Sequence, residues 1–65
     1  MNKPTPQEIK LLRKEFKLTQ SKFAELSYKD LRTVQRWEAG KINIPLIVWE
    51  FYLVYFNKLQ PRIKL

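Results

Sequence analysis

With 65 residues this chain has room for one small core, and at that size folding buries only about 60% of the surface the unfolded chain exposes, so tight packing or association has to supply the rest. It contains no cysteine and no histidine, which excludes a disulfide framework, a thiolate metal site and a neutral-pH imidazole base. Thirteen Lys and Arg against six Asp and Glu leave a formal charge of +7 and a pI near 10.0, a balance that favours a polyanionic partner, although charge alone does not separate that from a solvated basic surface. The opening MNKPTPQEIK has no apolar run of secretory type, which predicts a protein that stays in a reducing cytoplasm. No cofactor or metal is expected.

Taken in chain order, Thr5-Pro6-Gln7-Glu8 opens a first helix. Thr5 caps it, Pro6 takes a position where no N–H is needed, and Glu8 reaches back to the cap. This helix is predicted to run to about Phe16, with Ile9, Leu12 and Phe16 inward and Lys10, Lys14 and Lys17 outward. Thr19 caps a second helix, with Leu18 and Phe23 spaced as a hydrophobic staple around it. Phe23, Ala24 and Leu26 share a face, and Ala24 is small enough for another helix to cross closely. That crossing helix spans Leu31 to Glu38, where Val34 and Trp37 face inward while Arg32, Gln35 and Arg36 point elsewhere; Gly40 ends it. The turn between these two helices is open to two readings. A left-handed backbone at Tyr28 costs on the order of 1 kcal/mol, and Ser27 with Asp30 three residues on forms a capping-box pattern that competes with Asp30 itself as the N-cap.

Pro45 is placed to open a fourth helix. The run that follows, LIVWEFYLVYF, has Glu50 as its one charge and is far short of the ~20 residues that span a bilayer, so a transmembrane helix is excluded. At helical spacing it carries two apolar stripes: Ile47, Val48, Phe51, Val54 and Tyr55 on one, Leu46, Trp49, Tyr52, Leu53 and Phe56 on the other. One can close the core, but a domain this small cannot bury both, so the other faces a partner unless the tail folds back over it. The tail, NKLQPRIKL, is interrupted by Pro61 and adds Lys58, Arg62 and Lys64; a short turn, a phosphate-contacting arm and a frayed end all fit it.

The run Leu18-Thr19-Gln20, Phe23-Ala24-Glu25, Arg32-Thr33-Val34-Gln35-Arg36-Trp37-Glu38 and Gly40 resembles the helix-turn-helix of lambda-repressor/Cro-like (XRE-type) transcription regulators. Its spacing fits without a gap, and the resemblance extends over roughly Gln7 to Tyr55. The turn departs from the family, which has Gly between two apolar residues where this chain has Ser27, Tyr28 and Lys29. The resemblance implies an all-α, compact four- to five-helix bundle: a DNA-binding domain over 1–57 with a C-terminal aromatic dimerisation helix, then a basic tail over 58–65. It also implies a partly buried ion pair between Arg13 and Glu38. It assigns the stripe with Val48 and Phe51 to the core and Leu46, Trp49, Tyr52, Leu53 and Phe56 to a twofold interface, the exchanged assignment being the alternative.

For recognition, the resemblance implies Leu31, Arg32, Gln35 and Arg36 as base readers. The arginine fork matches guanine O6 and N7, and Leu31 suits a thymine methyl. Thr19, Gln20, Lys22, Tyr28, Lys29, Thr33 and Lys41 are expected on the DNA backbone. The implied function is sequence-specific, double-stranded DNA binding by a homodimeric, non-enzymatic repressor of its own operon, on an inverted repeat with half-site centres about 34 Å apart. Minimal members of this kind resemble phage Cro-like regulators, antitoxin autorepressors or anti-CRISPR-associated regulators. A protein-interaction module that binds a toxin or host protein through the aromatic helix is the alternative. Attachment to a membrane surface through that helix and the tail is a third reading. Catalysis is the weakest, since no nucleophile and base are convincingly arranged.

Overall fold

Each of the first three helices begins at a polar side chain that accepts a free first-turn N–H. The computed structural model describes residues 3–56, which form α1 (Pro6–Glu15), α2 (Gln20–Leu26), α3 (Leu31–Glu38) and α4 (Leu46–Tyr55), with no strand among them. Thr5 accepts from the Glu8 N–H at 3.1 Å while the Glu8 carboxylate accepts from the Thr5 N–H at 2.8 Å, a complete capping box. Thr19 caps α2 through the Lys22 N–H and Asp30 caps α3 through the Thr33 N–H. The competition at the turn is thus resolved in favour of Asp30, with Ser27 serving as the C-cap of α2. Pro45 sits one residue earlier than expected, at the N-cap of α4, where its carbonyl accepts from the N–H groups of Val48 and Trp49.

The C-termini of α1, α2 and α3 share one device. In each, the residue after the cap turns left-handed and the next N–H reaches back five residues: Leu18 to Arg13, Lys29 to Ala24, and Lys41 to Arg36. Glycine occupies that left-handed position only at Gly40 (φ 75°); Lys17 (φ 56°) and Tyr28 (φ 59°) occupy the other two. The left-handed turn at Tyr28 is therefore adopted despite its steric cost. α1 stops at Glu15, so Phe16 is its C-cap rather than an interior helical residue; it remains 37% exposed and stacks on Phe56 with ring centroids 4.1 Å apart.

α3 packs between α1 and α2, and the core is built from Ile9, Leu12, Phe23, Ala24, Val34, Trp37, Ile44, Trp49 and Tyr52. This corrects the assignment of the α4 stripes. Trp49 and Tyr52 lie inside the protomer and are unavailable to a twofold partner; Leu53 and Phe56 pack half-buried against the core, and Leu46 is at the exposed end of the helix. The stripe with Ile47, Phe51, Val54 and Tyr55 faces outward, Ile47 being 78% exposed, while Val48 is half-buried. The physical reason is the tyrosine hydroxyl. Facing inward, Tyr52 stacks on Phe23 at 3.9 Å and its hydroxyl donates to the Phe23 carbonyl at 2.6 Å, so a large ring is buried with its polar tip satisfied. The tail 58–65, with Lys58, Pro61, Arg62 and Lys64, lies outside the described residues.

Candidate nucleic-acid interface

The full burial of Val34 and near-full burial of Trp37 fix the rotation of α3 about its axis, and everything opposite them is presented outward. Leu31, Arg32, Gln35 and Arg36 are all exposed on that side, the two arginines one helical turn apart. The outer face thus offers two guanidinium forks, a carboxamide and an apolar methyl pair, donors and contacts suited to base edges in a major groove. Thr33 stands apart from them. It is half-buried; its hydroxyl beside Asp30 and its N–H, which donates to Asp30 Oδ1 at 2.9 Å, hold that carboxyl below its ordinary value of 3.8 at the start of the helix.

The far end of α3 is tied down through Glu38. Arg13 Nε donates to Glu38 Oε2 at 2.7 Å, its Nη2 to Oε1 at 3.0 Å, and its Nη1 to the Leu18 carbonyl at 2.8 Å. These two side chains are 12% and 4% exposed. Burial pushes the Glu38 carboxyl up, but the bonds from Arg13 and Gln20 and the charges of Arg13 and Lys10 outweigh it and hold it below 4.5. Gln20 commits its amide Nε2 to Glu38 Oε1 at 3.1 Å, so the first residue of α2 and the last of α3 are clamped by one carboxylate. The clamp sets the distance between the two helices of the helix-turn-helix.

Beside this clamp lies an open groove of about 480 Å³ lined by Lys10, Lys14, Gln20, Gln35 and the Arg13–Glu38 pair. It brings a backbone candidate, Gln20, and a base-reading candidate, Gln35, onto one surface. Lys10 and Lys14 join them there, two residues assigned from sequence only to the outward side of α1; the expected Arg13–Glu38 pair brings α1 to the end of α3, but it does not say which other α1 side chains reach Gln35. Lys22, Lys29 and Lys41 are exposed at the ends of α2 and α3. Thr19 is exposed too, with its hydroxyl engaged in capping. Tyr28 falls elsewhere. It is 97% exposed and lines a different, largely apolar groove of about 340 Å³ with Leu26, Ser27, Ile47, Val48 and Phe51.

A family profile described as helix-turn-helix matches residues 9–59, most of the chain. The chain belongs to that family: it is a lambda-repressor/Cro-like, XRE-type helix-turn-helix DNA-binding regulator with the all-α fold of that group. No curated protein matches it. Among the described residues no helix is long and apolar enough to cross a membrane.

Proposed function

We propose that this chain is a sequence-specific transcriptional repressor that binds an inverted-repeat operator in double-stranded DNA as a homodimer and controls its own operon, in the cytoplasm and without enzymatic activity. The observation that carries this reading is the outward face of α3, where Arg32, Gln35 and Arg36 stand free of the core on a helix clamped at both ends. Lys10, Lys14, Lys22, Lys29 and Lys41 supply the phosphate contacts around it, and residues 1–57 form the DNA-binding domain with 58–65 as a basic tail. The second copy docks on the outer stripe of α4, Ile47, Phe51, Val54 and Tyr55, which is apolar and rich in aromatic anchors.

Two substitutions separate base reading from charge attraction. Arg36→Ala is expected to lose about 1–3 kcal/mol on the operator and little on random DNA, whereas Lys41→Ala weakens both alike. Binding titrations on the two duplexes read the difference, and equal losses for Arg36→Ala would remove it from the base readers. A second reading is favoured by the groove under Tyr28: a toxin or host protein occupies it in place of a second copy. A monomer at concentrations that saturate DNA would favour that reading.

A further inference from the structure

Where α2 ends, its last turn tightens: the Ser27 N–H bonds to Ala24 rather than continuing to Phe23, which leaves the Phe23 carbonyl without its helical donor. That carbonyl belongs to a fully buried residue, closed off from bulk solvent, so it calls for a partner from within the protein. That partner comes from α4, far along the chain. Tyr52 Oη donates to the Phe23 carbonyl at 2.6 Å and, with its single proton so placed, stands as acceptor 2.6 Å from Ser27 Oγ, whose one proton is shared between Tyr52 and the more distant Ala24 carbonyl at 3.3 Å. Immediately after Ser27 the chain enters the left-handed conformation at Tyr28, then Lys29 donates to Ala24 at 2.9 Å and Asp30 caps α3. A family position suited to glycine is thus held by tyrosine, in a turn whose upstream end is pinned by a hydroxyl from another helix.

We propose that Tyr52 is a positioning residue for DNA reading: its hydroxyl holds the strained turn between α2 and α3, and so fixes the aim of the base-contacting face of α3 from the helix that carries the docking stripe. The inference rests on the DNA-reading function above. The same helix thus carries both the anchoring hydroxyl and the docking stripe, Phe51 of that stripe lying beside Tyr52 with ring centroids 5.6 Å apart. Burial raises the Tyr52 hydroxyl above its ordinary 10.0, so it remains a neutral donor throughout the physiological range. A tyrosine that only filled the core would need the ring and not the hydroxyl; the two short bonds to the end of α2 are what the ring alone does not explain.

The test compares the wild-type chain with Tyr52→Phe, which keeps the ring stack on Phe23, and with Ser27→Ala, which removes the second partner at a less buried site. Affinity for an operator selected with the wild-type protein is divided by affinity for random duplex, and amide exchange is measured on the free proteins. Tyr52→Phe is expected to lower the ratio on the order of tenfold, the scale of one misaligned bidentate base contact, with random-duplex affinity unchanged. Protection is lost at Tyr28 and Lys29 before it is lost at Val34 and Trp37. Adding Tyr28→Gly, which relieves the left-handed cost, restores the ratio. If Tyr52→Phe does not fold, the same ratio and exchange pattern are read in Ser27→Ala. An unchanged ratio in a wild type that does discriminate overturns the positioning role and leaves the repressor reading standing. Equal losses on operator and random DNA overturn it too. A wild type that selects no sequence removes the repressor reading and this inference with it.

Discussion

Two side chains in the described structure, Lys17 and Tyr28, hold a backbone conformation that glycine would adopt more readily. Replacing Tyr28 by Gly is expected to raise stability by about 0.5–1 kcal/mol, the relieved strain less the extra freedom glycine has when unfolded. Thermal unfolding should show a rise of a few degrees; a fall would mean that the tyrosine ring stabilises its surroundings more than its backbone strains them. At Glu38 the expectation concerns pH. Its carboxyl is held below 4.5 in the fold, so its stabilising contribution is fully present above that value and is lost as pH falls through the lowered one. Acid unfolding of Glu38→Gln should lack this component, and Arg13→Ala, which leaves a nearly buried carboxylate unpaired, should cost about 3 kcal/mol at neutral pH. An acid limb identical to wild type in Glu38→Gln would contradict the assignment.

At the scale of the helices, starts and stops were legible because they are written in local chemistry. Thr5, Thr19 and Asp30 each have their acceptor oxygen three residues from the N–H they cap, and Gly40 marks its own turn. The orientation of α4 was not legible, because Leu46–Tyr55 is apolar apart from Glu50 and periodicity offers no preference between its two stripes. What decides is a partner remote in sequence, the Phe23 carbonyl, which only the tyrosine of one stripe reaches. The same holds for Lys10 and Lys14, whose place beside Gln35 depends on how α1 crosses α3. With the stripes assigned, Phe51→Glu on the outward face should leave the fold intact and shift the protein to monomer, whereas Tyr52→Glu should unfold it. Sedimentation with circular dichroism distinguishes these outcomes, and an unaltered dimer in Phe51→Glu would place the interface elsewhere.

For the molecule as a whole, the charge of +7 and the shape of α3 make different contributions. In the proposed function the charge draws the protein to any duplex and is screened by salt, while the exposed arginine face is what would distinguish one duplex from another. The family was legible in the sequence because Thr19-Gln20 and Trp37-Glu38 mark the two ends of one clamped unit, and in the fold Gln20 and Glu38 do bond to each other. Which DNA that unit reads is set by the order of contacts along a groove, and no spacing in the chain encodes it. The most direct measurement is selection of bound duplexes from a random-sequence pool at about physiological salt, where nonspecific attraction is damped. Enrichment of an inverted repeat with half-site centres about one helical turn apart is the predicted result; recovery of unselected sequence by a folded protein would contradict it.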